Sequence, residues 1–488
     1  MEPAKPVLST LLERLRPIVY LSNNPLSLIG VVFVTLAGGL WLFLLPTLVR
    51  GEAANPYMGI LSFLLLPGVF FIGLIFIPAG ILIRRSILRR SGLPVTGFPP
   101  LTFESVELRR LVAFVAATTV ANIIIAAQWG YSAVNYMDTD QFCGLTCHTV
   151  MQPEYTAYQN SPHSHVGCAE CHIGTGASWF VKAKISGVRQ VFAVALNDYE
   201  RPIPSPVSNL RPARETCEQC HWPSRFSGDV FQVHTSYASG EQNQASYTVL
   251  LMKVGGQTWR GGVGIHGAHL DPKAKMVYTA IDEKRQTIPQ VVYTAPDGKV
   301  TVFNATDQKV TPEQLAAGEH RVMDCMDCHN RPAHTFELPD KAVDLAMSSG
   351  HISPTLPFIK QQAVGVLKRD YADRDAAVRQ IATSLHDFYQ TKYPQIRATR
   401  GADIDNAIAA VKAIYLQNIF PEMKVTWGTY VNNLGHMDSP GCFRCHDGNH
   451  ASADGKTIPN DCSTCHDVLA MEEQNPKILG DLGLKVSQ

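Results

Sequence analysis

Residues 143–172 read CGLTCHTVMQPEYTAYQNSPHSHVGCAECH. Two cysteine pairs stand in this one stretch, and a histidine directly follows each. Outward from it the signature recurs: beside Cys168/Cys171/His172 come Cys217/Cys220/His221, Cys325/Cys328/His329, Cys442/Cys445/His446 and Cys462/Cys465/His466. The first pair, Cys143/Cys147/His148, has three intervening residues where the other five have two. All 12 cysteines are used in this way. A disulfide framework would suit an oxidising compartment but gives no reason for the histidines. Zinc takes four ligands from Cys and His but does not need a histidine behind every second cysteine. The pattern is that of c-type haem attachment: two thiols add to the vinyl groups of one porphyrin, and the adjacent histidine turns back to ligate the iron.

Each low-spin haem needs a sixth ligand. Six of the 17 histidines belong to the motifs, leaving His163, His165, His234, His266, His269, His320, His334, His351, His386, His436 and His450. His386 falls in 373–393, where Val378, Ile381, Leu385 and Phe388 recur at helical spacing, and reads as a helix-surface residue. His351 follows Gly350 and reads as a C-terminal cap. His320 stays open. The rest lie near motifs or in Gly-rich turns, and among them His163, His266, His269, His334, His436 and His450 are the ligand candidates.

With 42 Lys+Arg against 42 Asp+Glu the bare chain is neutral, which excludes a basic nucleic-acid binder. Six haems with ionised propionates would add roughly −6 when ferric to −12 when ferrous to the loaded protein. The neutrality also hides an uneven distribution. Three uncharged apolar runs, 28–49, 59–83 and 111–131, precede the first cysteine. Each is long enough to cross a hydrocarbon core of about 30 Å, so three transmembrane helices are expected, with Pro67 and Pro78 kinking the second. Lys5, Arg14, Arg16, Arg84, Arg85, Arg89, Arg90, Arg109 and Arg110 flank one side of the runs and only Arg50 the other. That bias puts the N-terminus in the cytoplasm and everything after about residue 132 outside, in a bacterium the periplasm. Only 12 residues, Ser132 to Cys143, separate the third run from the first thiol, so the first haem is expected at the membrane surface.

The fold expected is mainly α, with little regular structure around the haems. Residues 1–131 form a membrane anchor, 132–335 a tetrahaem domain, and 336–488 a helical spacer followed by a dihaem segment. Within the second part, SYTVLLMKV, MVYTAI, QVVYTA and KVTVF predict a small antiparallel insert over about 246–308, with a hairpin turn at Asp297-Gly298. His266 and His269 are then expected on the Gly-rich loop GGVGIHGAHL. Thr311-Pro312-Glu313-Gln314 predicts a capping box, and 340–417 reads as three or four cysteine-free helices.

The apolar run followed by CGLTCHTVMQPEYTAYQNSPH, CAECH, CEQCH and CMDCHNRPAH resembles the NapC/NirT/NrfH family of membrane-anchored multihaem quinol dehydrogenases over about 111–334. Residues 335–488, with GCFRCHDGNH and DCSTCH, and the N-terminal hairpin look like longer relatives in metal- and anaerobically respiring bacteria, including inner-membrane cytochromes of extracellular electron transfer. The resemblance implies that His163 ligates the fourth haem and His334 the second. It implies that Lys184, with Lys182 close behind, lines a quinol pocket at the first haem, and that Met151 replaces His148 on the first iron. Two departures stand out: Met151 is three residues after His148 where the family has two, and 186–191 lacks the carboxylate found in some members. The function implied is a six-haem cytochrome of the inner membrane. It oxidises menaquinol and passes electrons to a periplasmic cytochrome or reductase in anaerobic respiration. Two other readings stand beside it: a terminal reductase of nitrite or hydroxylamine with one open haem, and a non-catalytic relay subunit of a membrane complex.

Overall fold

The computed structural model describes residues 24–49, 65–92 and 134–484 apart from 147, 175–176, 208–210, 227, 259–260 and 263, with scattered positions among 17–22 and 109–132. The chain divides into two compact units, 1–137 and 138–488.

In the first unit α1 (Pro25–Val49) packs on α2 (Leu66–Arg90). Two glycines allow their backbones to meet: a Cβ on Gly30 would lie 2.7 Å from the Gly73 carbonyl oxygen, and one on Gly73 would lie 2.8 Å from that of Gly30. Small residues at a crossing are how apolar helices gain close van der Waals contact. Nearby, the Ser27 hydroxyl donates to the Ile77 carbonyl at 2.9 Å, so its polar group is satisfied within the pair. Among the described residues α2 is the one helix long and apolar enough to cross a membrane; the apolar stretch of α1 is the shorter Pro25–Thr35. Of the expected third span, 111–131, only scattered positions are among the described residues. Pro67 stands in the first described turn of α2, and Pro78 is inside the helix.

The second unit is mostly helical with small antiparallel sheets. After α3 (His148–Gln159) and α4 (Ala177–Ala195) come β1 (Val230–Tyr237) and β2 (Ala245–Met252). A short helix, α5 (Gly264–Leu270), stands where a Gly-rich loop was expected. Then follow β3 (Lys275–Ala280), β4 (Gln290–Thr294), β5 (Val300–Ala305) and β6 (Glu319–Val322). The β4–β5 hairpin turns at Asp297-Gly298 with Gly298 at φ +86°, and the Thr311 capping box is present with Pro312 in the first turn.

The strands do not form one local insert. β7 (His450–Ala451) joins β6-β3-β4-β5 at the β5 edge, and β8 (His466–Glu473) pairs with β2 to give the order β1-β2-β8. Both added strands come from the last motifs, and residues 138–335 and 336–488 fall within one unit.

Between them lie α6 (Pro339–Ser348), α7 (Ile359–Leu367), α8 (Arg374–Lys392), α9 (Pro394–Thr399) and α10 (Gly401–Asn418), one helix more than the expected maximum. Val343, Ile352, Leu356, Ile359, Ile381, Leu385 and Tyr389 fill their interior at 0–1% exposure. Asn243, at the tip of the β1–β2 hairpin, plugs into this block by donating to the Leu356 carbonyl at 2.7 Å and accepting from Lys360 N at 3.0 Å. His386 lies half-exposed on α8 and His351 follows Gly350, which has φ +79°, as the helix-end reading anticipates.

Candidate haem-binding sites

Four of the two-residue-spaced motifs fold as single tight turns: Cys168–His172, Cys325–Cys328 and Cys462–Cys465 are helical, and Gly441–Arg444 is a 3₁₀ turn. Asp324 and Asp461 cap two of them from the preceding position. The third motif departs from this pattern at Cys220. Its helix, Ala213–Cys217, ends on the first cysteine, so Cys220 lies beyond the helix in a turn and is exposed rather than wound into a helical pair with Cys217. The N–H groups of Cys220 and His221 both donate to the Cys217 carbonyl, at 3.1 and 2.8 Å, so the motif still closes as one turn. Cys171 and Cys462 are likewise exposed, each at an end of its own helical turn.

The three-residue spacer of the first motif is absorbed by winding: Phe142–Thr146 forms a π turn. A π turn takes about one residue more than the 3.6 of an α turn, so it makes room for the additional residue in the span. No disulfide joins the described cysteines; Cys147 and the His148 side chain lie outside the described residues.

Opposite five motif histidines stands a second histidine. Ring centres are 6.0 Å apart for His163 and His221, 6.1 Å for His172 and His334, and 6.2 Å for His266 and His329. His269 and His446 are 5.8 Å apart, and His436 and His466 6.2 Å. Metal–nitrogen bonds of about 2.0–2.1 Å, plus about 1.1 Å from nitrogen to ring centre on each side, separate two trans imidazoles by about 6.3 Å. Each gap therefore fits one iron. Among the described residues no three His, Cys, Asp or Glu side chains converge as a protein-only metal site requires. A porphyrin, supplying the equatorial ligands itself, needs only such axial pairs.

The rings are also prepared electronically. Burial holds His172, His266, His269, His329 and His334 below the usual imidazole range, hence neutral with a free lone pair. Backbone carbonyls take the Nδ1–H of His163 (Pro332, 3.2 Å), His269 (Ile265, 2.7 Å), His334 (Glu154, 3.0 Å) and His446 (Pro459, 2.5 Å). That fixes the tautomer and leaves Nε2 to a metal. The loop carrying His334 is held by a buried ion pair: Arg331 donates to Glu154 at 3.0 Å and to the His334 carbonyl at 2.7 Å.

Two expectations change. His163 faces His221 of the third motif, and His266 takes the place opposite His329 that the resemblance gave to His163. His450 is removed from the ligand candidates: it is fully buried, with Nδ1 bonded to Asp447 at 2.9 Å and Nε2 to the Ile288 carbonyl at 2.7 Å. With both ring nitrogens engaged inside the fold, His450 faces no motif histidine among the described residues. Met151 is half-buried on α3, one turn after His148. Lys184 lies on α4, its side chain outside the described residues. Exposed Lys182 sits over the Trp179 ring at 4.5 Å, Ile185 and Phe192 are exposed along the same helix, and exposed Leu196 follows its end.

Neighbouring motifs are tied together. The Cys143 and Cys168 thiols are hydrogen-bonded, as are Cys217 and Cys325. The Cys168–His172 turn packs on the helix that leads into the third motif. Arg444, inside the fifth motif, donates to the Asp327 carbonyl inside the fourth at 2.6 Å. Phe443 of the fifth stacks on His436, the partner of the sixth, at 4.3 Å.

Tight Cys-turn-His motifs, five with facing histidines and all joined in series, define a multihaem c-type cytochrome. The NapC/NirT cytochrome c family, N-terminal region, matches residues 106–203. The chain is also 40% identical over 456 residues to the cytochrome c-type protein ImcH of Geobacter sulfurreducens, covering 93% of this chain and 89% of that protein. No solved structure matches it. The chain belongs to the NapC/NirT cytochrome c family, and with it comes covalently bound haem c and a role in electron transfer at a membrane.

Proposed function

We propose that the chain is a six-haem quinol dehydrogenase of the bacterial inner membrane, oxidising menaquinol and delivering electrons to a periplasmic cytochrome or reductase. The observation that carries this reading is the set of five histidine pairs at 5.8–6.2 Å. Closed axial pairs leave no position for a small substrate, which suits transfer over terminal reduction. Each motif attaches one haem through its two thiols, Cys217 and Cys220 included; the exposure of Cys220 suits a thiol that must be reached by a vinyl group. The first motif, whose His148 side chain lies outside the described residues, follows the anchor after the shortest linker. Haem c supplies one-electron chemistry when bound.

Quinol is apolar and confined to the bilayer, so its electrons must be taken at the membrane surface. Lys184 hydrogen-bonds a quinol oxygen there; a lysine partly desolvated at a headgroup layer holds its proton less tightly and can pass one outward. Met151 would hold the iron of the first haem through its thioether, a ligand that would raise the potential above that of the paired-histidine sites. The arginine-rich 84–110 loop keeps the N-terminus cytoplasmic and the motifs periplasmic. Reduction of the purified protein by a menaquinol analogue, followed by absorbance, tests the reading; a chain that quinol does not reduce would be a relay subunit. Lys184→Leu is expected to slow this reduction at least tenfold with the haem count unchanged, and unchanged turnover removes Lys184 from the quinol site.

A further inference from the structure

We infer that α5 is a shared clamp setting the axial ligation of the fourth and fifth sites together, with Gly264 as its positioning residue. The inference rests on the reading of the facing histidines as iron ligands. α5 has seven residues, and His266 and His269, three apart on it, face different motifs: His329 at 6.2 Å and His446 at 5.8 Å. One rigid turn of backbone thus holds a ring for each of two irons. His269 is locked to that turn from within, through its Nδ1–H on the Ile265 carbonyl.

The turn itself is seated on residues 253–255. Ile265 N donates to the Lys253 carbonyl at 2.9 Å and His266 N to the Val254 carbonyl at 3.0 Å. Gly264, which leads into these bonds, has φ +67°; a Cβ there would overlap the Lys253 carbonyl oxygen and come within 2.9 Å of Gly255 Cα. Both obstacles are backbone, which cannot rotate away as a side chain would. The platform is pinned from its other side, because Lys253 N donates to the Cys465 carbonyl at 2.8 Å and Lys253 Nζ to the Ser463 carbonyl at 2.7 Å, both in the sixth motif. A side chain at position 264 must therefore lift α5 rather than push the platform down. An axial bond of about 2.0–2.1 Å tolerates little of that movement, and both rings travel with the helix.

The test uses the full haem-loaded chain, reduced and reoxidised chemically, so that its outcome is independent of quinol. Electron paramagnetic resonance and absorbance count high-spin haems, and intact mass gives the haem number. Gly264→Val is expected to convert two haems to high spin while six remain attached. His266→Ala and His269→Ala are each expected to convert one, with added imidazole restoring low spin. Gly298→Ala, which imposes a similar positive-φ strain on a hairpin remote from α5, is expected to convert none. If Gly264→Val does not accumulate, Gly264→Ala carries the same backbone conflict and is read in its place. An all-low-spin position-264 variant, conversion of one site alone, or no change in either histidine variant overturns the inference.

Discussion

In the α6–α10 block the interior is filled by apolar side chains that are one another's partners; around the motifs the turns are four or five residues long and their interior is left to rings, thiols and single polar ties. Leu356, Ile359 and Leu385 each lie at or below 1% exposure, and burial of such a side chain contributes about 1.5–3 kcal/mol. A four-residue turn such as Cys325–Cys328 has no comparable source, since one turn of helix does not cover its nucleation cost in water. What holds the motif region in the bare polypeptide is polar and specific: Arg331 on Glu154, Arg444 on Asp327, Asp324 on its own turn. The block is thus a scaffold made by sequence alone, and the motif shell is one that covalent haem completes.

The largest effect that could break this contrast is removal of the cofactor. With all 12 cysteines replaced by alanine, residues 339–418 are expected to keep slow amide exchange while 143–222 exchange within seconds, read by mass spectrometry of peptic fragments. Protection that is uniform along the chain would show that the shell folds without haem. Next in size is a cavity in the scaffold. Leu385→Ala is expected to cost about 2–5 kcal/mol in chemical denaturation followed by circular dichroism, because the site at 1% exposure has no solvent to refill it. Haem number per chain should stay unchanged, since Leu385 packs within the core of the helical block; a loss of haem would mean that the two regions fold as one.

The same division explains what was legible in the amino-acid order. Local signals survived: the i, i+3/i+4 pattern of Ile381, Leu385 and Phe388 made α8, the alternation in 290–305 made a hairpin, and Thr311 and Gln314 made their capping box. The cysteine-histidine spacing is equally local, because attachment chemistry acts within one turn. Equal spacing did not mean equal winding, however: Cys220 lies beyond its helix, whereas Cys171 and Cys328 stay in theirs. Pairing across the fold was not legible at all. His163 faces the third motif rather than the fourth because partner choice depends on how 143–172 docks against 211–221, which no spacing encodes. The glycines of GGVGIHGAHL point to a loop, but bonds from Ile265 and His266 to the 253–255 backbone wind it into α5. β7 and β8 arrive from residues 450–473, beyond the reach of any local strand signal. His450 looked like a ligand from its proximity to a motif; only burial between Asp447 and Ile288 reveals it as a structural pin.

The finest comparison places one chemical device in both regions. Asp373 caps α8, its Oδ1 accepting from Ala376 N at 2.6 Å, and Asp461 caps the sixth motif turn, its Oδ1 accepting from Ser463 N at 3.3 Å. In the scaffold the cap satisfies an end of a 19-residue helix whose folding is coupled to the core, so Asp373→Ala is expected to cost about 1 kcal/mol. In the shell the turn is tethered at both cysteines once haem is attached. The lost cap then releases little conformational freedom, and the longer bond is the weaker one. Asp461→Ala should therefore cost less than about 0.5 kcal/mol in the loaded protein, measured by the same denaturation. Equal costs at the two positions would place the stability of the motif turn in its polypeptide rather than in its thioethers, and would narrow the contrast to the number of residues buried.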